Sequence, residues 1–105
     1  MAWLYLALAG ICEIGWPVGL KLGWSDQGVR PWWIIFAMVA IITSGALLLW
    51  AQRVIPMGTA YAVWTGIGAV GAFVVGILAF GDSASTMRMV SIALIVAGIV
   101  GLKMA

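Results

Sequence analysis

Four apolar runs, separated by short polar breaks, organise the chain. The first extends from Ala2 to Leu20, is interrupted only by Glu13, and is closed by Lys21. The second, Trp32 to Ala51, carries no charge; Pro31 opens it, and Gln52 and Arg53 close it. The third, Met57 to Phe80, is also uncharged, entered after Pro56 and closed by Gly81 and Asp82. The fourth lies between Arg88 and Lys103. It is the shortest, but both basic stems can snorkel, and Met87, Met104 and Ala105 add length. A spanning helix needs about 20 apolar residues. The pattern therefore predicts membrane helices over about 2–20, 32–51, 57–80 and 86–103.

The breaks carry turn chemistry: Gly23 to Gly28, Arg53 to Pro56, and Gly81 to Ser85. Prolines stand at helix entrances, where a missing amide costs little. Short connections return each helix antiparallel beside its neighbour, so four spans leave both termini on one side. The expectation is an all-α membrane protein, with residues 1–105 as a single four-helix transmembrane domain. Ala7-Leu8-Ala9 resembles a signal cleavage site, but no basic residue precedes the run and Glu13 follows inside it. The segment reads as a retained span.

Composition agrees. Of 105 residues, 66% are hydrophobic and 8% charged, too few charges to cover a water-soluble surface. The five basic residues, Lys21, Arg30, Arg53, Arg88 and Lys103, are scattered singly, so a nucleic-acid partner has no support. Histidine is absent and the carboxylates are isolated, which leaves no metal-ligand set. No cofactor and no catalysed bond change is suggested. Cys12 is alone in an apolar run and reads as small-residue packing. Lys21, Arg30 and Arg88 fall on one side of the membrane, and Arg53, Lys103 and the amino terminus on the other. That balance leaves the positive-inside rule without an answer. A chain of this kind can insert both ways and pair with an inverted copy of itself, the symmetry that many transporters build by duplication.

Glu13 is the only acid within a span. A carboxylate in hydrocarbon is costly, and such residues are rare and usually functional. An ion pair would be the plain alternative, but no Lys or Arg lies mid-span to supply it. A carboxylate there can exchange a proton for a cation, the minimum machinery of antiport. Trp16 lies three residues on, on the same helical face. Its indole can donate to the carboxylate and its ring can hold a cation; equally, it can be a belt tryptophan like Trp3, Trp24, Trp32 and Trp33. Pro17, four residues after Glu13, removes the amide that would bond the Glu13 carbonyl. A kink there either opens a polar pocket or serves packing alone.

Ser44, with Thr43 beside it, is a mid-span hydroxyl, a type that often bonds back to its own helix. Tyr61 and Trp64 share a face of the third helix, with Gly68 continuing it. Each has a polar tip that needs a partner when buried, and Glu13 of either chain is the evident acceptor. The stretch Gly66 to Gly71 is glycine-dense; Gly66 and Gly68 read both as close packing and as a hinge. On the fourth helix Ala93, Ala97 and Gly101 form one small-residue stripe, with Leu94 and Gly98 beside it. This is the pattern of a helix-dimer face.

The chain resembles the small multidrug resistance transporters over its whole length. The matching residues are Glu13 with Trp16 and Gly19-Leu20-Lys21, the long run from Ile55 to Gly68, and Gly98 to Lys103. Within that family, Trp at this distance from the acid and the ending Gly101-Leu102-Lys103 look like the guanidinium-exporter subtype. The resemblance implies an antiparallel homodimer in a bacterial plasma (inner) membrane. The two Glu13 carboxylates would bind either protons or a small organic cation, guanidinium or guanylurea. Trp16 and Ser44 would hydrogen-bond the carboxylates, Tyr61 would gate the site, Trp64 would line it, and the fourth helices would hold the dimer.

Three departures touch substrate preference. Pro17 stands where the subtype usually has alanine, Cys12 replaces a larger apolar residue, and the first loop lacks the usual Gly-Phe-Thr-Arg run. The alternatives are a broader quaternary ammonium exporter of the same family and a non-transporting membrane subunit such as a ring proteolipid. The latter is typically a two-helix hairpin and lacks the side chains grouped here.

Overall fold

The computed structural model describes all residues, 1–105. Helices α1 (Ala2–Gly23), α2 (Pro31–Ala51), α3 (Met57–Phe80) and α4 (Thr86–Met104) account for nearly the whole chain. All four are long and apolar enough to cross a membrane. At 1.5 Å per residue, α1 with its 22 residues is about 33 Å long and α4 with 19 about 28 Å. Both match a hydrocarbon core of about 30 Å.

The ends differ slightly from expectation. The first helix continues past Leu20 to Gly23, because the Trp24 N–H still caps the Leu20 carbonyl. The second begins at Pro31, a residue suited to the first helical turn. Gly81, at φ 71°, ends α3 in the left-handed conformation, and the Asp82 N–H returns to the Gly76 carbonyl at 3.0 Å. The Ser85 hydroxyl accepts from Arg88 N–H at 3.4 Å and opens α4.

One element was not expected. The first break is a small β-hairpin, β1 (Trp24–Ser25) paired antiparallel with β2 (Gly28–Val29), with Trp24 opposite Val29. Gly28 takes φ 122°, a conformation open to glycine. The Arg30 N–H then bonds the Gly23 carbonyl at 2.7 Å and ties the α2 entrance to the α1 exit.

The molecule is a thin slab of 46 × 34 × 16 Å in which α1 lies between α2 and α3, and α4 packs mainly on α3. Small residues allow these approaches. Gly15, Gly19 and Gly23 recur every fourth residue on the α1 face that meets α2. A Cβ at Gly19 would stand 2.9 Å from the Trp33 carbonyl oxygen and 3.0 Å from Ala37 Cβ. The opposite face of α1 interlocks with α3: Gly10 receives Ile67, while Gly71 receives Ile14. The buried core, Leu6, Ala51, Ile55, Ala60 and Val63, sits at the end of the slab where α2 turns into α3.

Gly66 and Gly68 belong to an unbroken α-helix and face different neighbours. Gly66 seats Ile99 of α4, and Gly68 seats Glu13 of α1. α4 has no buried residue, and its stripe of Ala93, Leu94, Ala97, Gly98 and Gly101 is exposed. Nothing lies within 4 Å of a Cβ built on Gly98 or Gly101.

Candidate functional site

Glu13 is held half-buried between α1, α2 and α3 by three different devices. On its own helix, Trp16 stands one turn on and its Nε1–H donates to Glu13 Oε1. From α2, the Ser44 hydroxyl faces Glu13 Oε2 at 3.5 Å and donates to the Ala9 carbonyl at 2.8 Å. Ser44 is fully buried, and its single hydrogen serves one acceptor at a time. From α3, Gly68 makes room. A Cβ there would stand 2.6 Å from Glu13 Cγ and 3.1 Å from Glu13 Cβ, so any larger residue would force the carboxylate away from the seam.

Trp64 completes the network differently from expectation. Its indole N–H donates to Ser44 Oγ at 2.7 Å rather than to Glu13, so Trp64 acts on the acid through the serine. Ser44 in turn bonds across to α1, not back to its own helix. Tyr61 is 58% exposed and makes a tilted ring contact with Trp64 at 5.4 Å, so within one chain its hydroxyl is not drawn to Glu13. No buried side-chain polar atom lacks a partner.

These groups border a cleft of about 370 Å³ lined by Glu13, Trp16, Pro17, Tyr61, Trp64 and Thr65, together with the small residues Gly68, Ala69 and Ala72. Sequence reasoning singled out Glu13, Trp16, Ser44, Tyr61 and Trp64, and four of these five line the cleft while Ser44 supports it from behind. Thr65, Ala69 and Ala72 were missed. Their signal is helical: Tyr61, Thr65, Gly68 and Ala72 recur at three- and four-residue steps along one face of α3. Pro17 lies in the cleft wall, inside a helix that continues to Gly23. No group of His, Cys, Asp or Glu is arranged to hold a metal.

The chemistry available is narrow. One carboxylate, fixed by an indole and beside a hydroxyl, faces an aromatic-walled space within apolar helices. Such a site can hold a proton or an organic cation. Four spans around a single intramembrane acid define a multi-pass membrane protein with an acid-bearing cleft between its helices.

The comparisons with known proteins place this class. The sequence model described as Small Multidrug Resistance protein matches residues 1–95. The chain is 52% identical over 104 residues to the guanidinium exporters of Citrobacter freundii and Klebsiella oxytoca, covering 99% of this chain and 97% of each relative. It is 51% identical, with the same coverage, to the guanidinium exporter of Escherichia coli strain K12. The chain belongs to the small multidrug resistance family, whose similar members are named as exporters.

Proposed function

We propose that this protein exports guanidinium and related small planar cations, such as guanylurea, in exchange for protons. The observation that carries the reading is Glu13 itself, the one acid inside the spans, clamped by Trp16 and backed by Ser44 at the edge of an aromatic cleft. A carboxylate bonds a guanidinium through parallel charge-assisted N–H···O contacts, which a quaternary ammonium cannot offer. The names of the relatives at 52% identity support the same substrate class.

The working unit is an antiparallel homodimer in a bacterial inner membrane. The exposed small-residue stripe of α4 supports a helix-dimer contact, and the balanced basic residues support insertion in both orientations. Each chain brings one Glu13 to a shared site. The two carboxylates hold protons or a cation, never a full complement of both, so competition couples the two flows. Alternating access follows when the loaded dimer exchanges which side is open, with Tyr61 at the mouth and Gly66 and Gly68 as points where α3 bends.

The test is transport in liposomes. An acidic interior should drive uptake of guanidinium against its gradient, and guanidinium should move faster than tetrapropylammonium. If tetrapropylammonium is carried well and guanidinium is not, the site belongs to a broader quaternary ammonium exporter. If neither moves, the protein is a non-transporting subunit.

A further inference from the structure

Two of the chain's three acids, Glu13 and Asp82, line neighbouring cavities along the α1–α3 seam. Beside the Glu13 cleft, a second cavity of about 80 Å³ lies between α1 and α3. Pro17 and Ala72 wall both spaces, so the small cavity adjoins the cleft on the side where α1 and α3 finish. Lys21, Phe80 and Asp82 belong to its lining, and Lys21 and Phe80 also border a wider, open cavity with Asp26 and Arg30.

The small cavity already holds a cation. Lys21 Nζ stands 4.7 Å from the centroid of the Phe80 ring. Beside it, the Asp82 carboxylate lies back against α3 over Gly76, where a methyl group would collide with its Oδ2. The backbone N–H of Asp82 makes the helix cap, so its carboxylate is not consumed in ending α3. An aromatic face beside a carboxylate suits guanidinium in particular. The ring takes the flat π-face and the carboxylate takes the N–H groups. Guanidinium is planar and weakly hydrated, whereas the lysine ammonium is compact and strongly hydrated. The free cation is therefore the better ligand for this pair.

We infer that Phe80 and Asp82 form an outer station for the transported cation, in the cavity that adjoins the Glu13 cleft, with Lys21 as its tethered occupant. The inference rests on the guanidinium-export reading for its substrate. Cations entering from this end displace the Lys21 ammonium from the ring before passing Pro17 and Ala72 to the central acid.

The experiment reads the station without relying on transport. The chain has two lysines, Lys21 and Lys103, and each rests on a ring, Lys103 Nζ lying 5.2 Å from that of Trp3. In ¹³C-lysine-labelled protein in lipid nanodiscs, guanidinium chloride is titrated against sodium chloride at equal ionic strength. The Lys21 ε-methylene should lose its ring-current shift at lower guanidinium concentration than the Lys103 signal. Asp82→Asn should raise the Lys21 midpoint by about three-fold. Both results should persist in Glu13→Gln, where the central site is disabled.

In liposomes, Phe80→Leu keeps every charge yet should raise the KM for guanidinium about three-fold at unchanged maximal rate, and Lys21→Gln should lower it. Parallel movement of the two lysine signals, or a Lys21 midpoint indifferent to Asp82→Asn, overturns the station. Unchanged KM in Phe80→Leu overturns its place on the transport path. A wild-type protein that moves no guanidinium refutes the export reading, and the lysine signals still decide the station by themselves.

Discussion

The seam between α1 and α3 and the outer face of α4 are built from the same kinds of residue, yet they are used in opposite ways. At the seam, glycines are filled: Gly10, Gly68 and Gly71 receive Ile67, Glu13 and Ile14. On α4, Gly98 and Gly101 meet nothing, and no residue of that helix is buried. Helices in lipid gain little from burying apolar surface, so their association depends on close packing and polar contacts. The α1–α3 seam has both within one chain. The α4 stripe has the small residues but no surface within the chain to pack on, and the proposed dimer would supply one.

The largest effect should come from closing the seam. Gly68→Val places side-chain atoms where Glu13 now sits, and overpacking of this kind costs about 1–3 kcal/mol. Transport should fall more than ten-fold, with the helical circular dichroism signal retained. A Gly68→Val protein of normal activity would show that the seam yields to a larger side chain without displacing Glu13. Next comes the opposite face. Gly98→Leu should leave the secondary structure intact and abolish dimers in detergent, measured by cross-linking between chains. Undiminished cross-linking would move the dimer contact off this stripe.

A smaller effect is expected at Ser44. Removing its hydroxyl leaves the half-buried Trp64 N–H without its acceptor, a loss of about 1 kcal/mol. Ser44→Ala should lower the thermal midpoint and slow transport several-fold, and Ser44→Thr should restore part of both. The smallest change is one of preference. Trp16→Gly removes the indole that holds Glu13 Oε1 and widens the cleft, so the advantage of guanidinium over tetrapropylammonium in a liposome assay should narrow without disappearing.

The spans were legible because run length and the absence of charge are local properties of the chain. Glu13 and Trp16 were legible for a related reason: an acid in an apolar run is conspicuous, and a three-residue step puts both on one face. What could not be read depends on which helix faces which. Trp64 reaches Ser44 across 20 residues of sequence, and Ser44 reaches Ala9 across 35. Neither pairing leaves a mark in local spacing. The glycines of α3 show the same limit, since only the packed structure assigns Gly66 to α4 and Gly68 to α1. The hairpin between α1 and α2 escaped because two-residue strands carry too little alternation to register.

The central claim is that one acid serves both proton and cation. It is tested most directly by proton-driven guanidinium uptake into liposomes containing Glu13→Gln, beside the wild type at equal reconstitution. Gln keeps the shape and the ability to accept from Trp16 but cannot exchange a proton. The account predicts that uphill uptake vanishes while the protein remains folded and dimeric. Uphill, proton-driven uptake that survives in Glu13→Gln would contradict it.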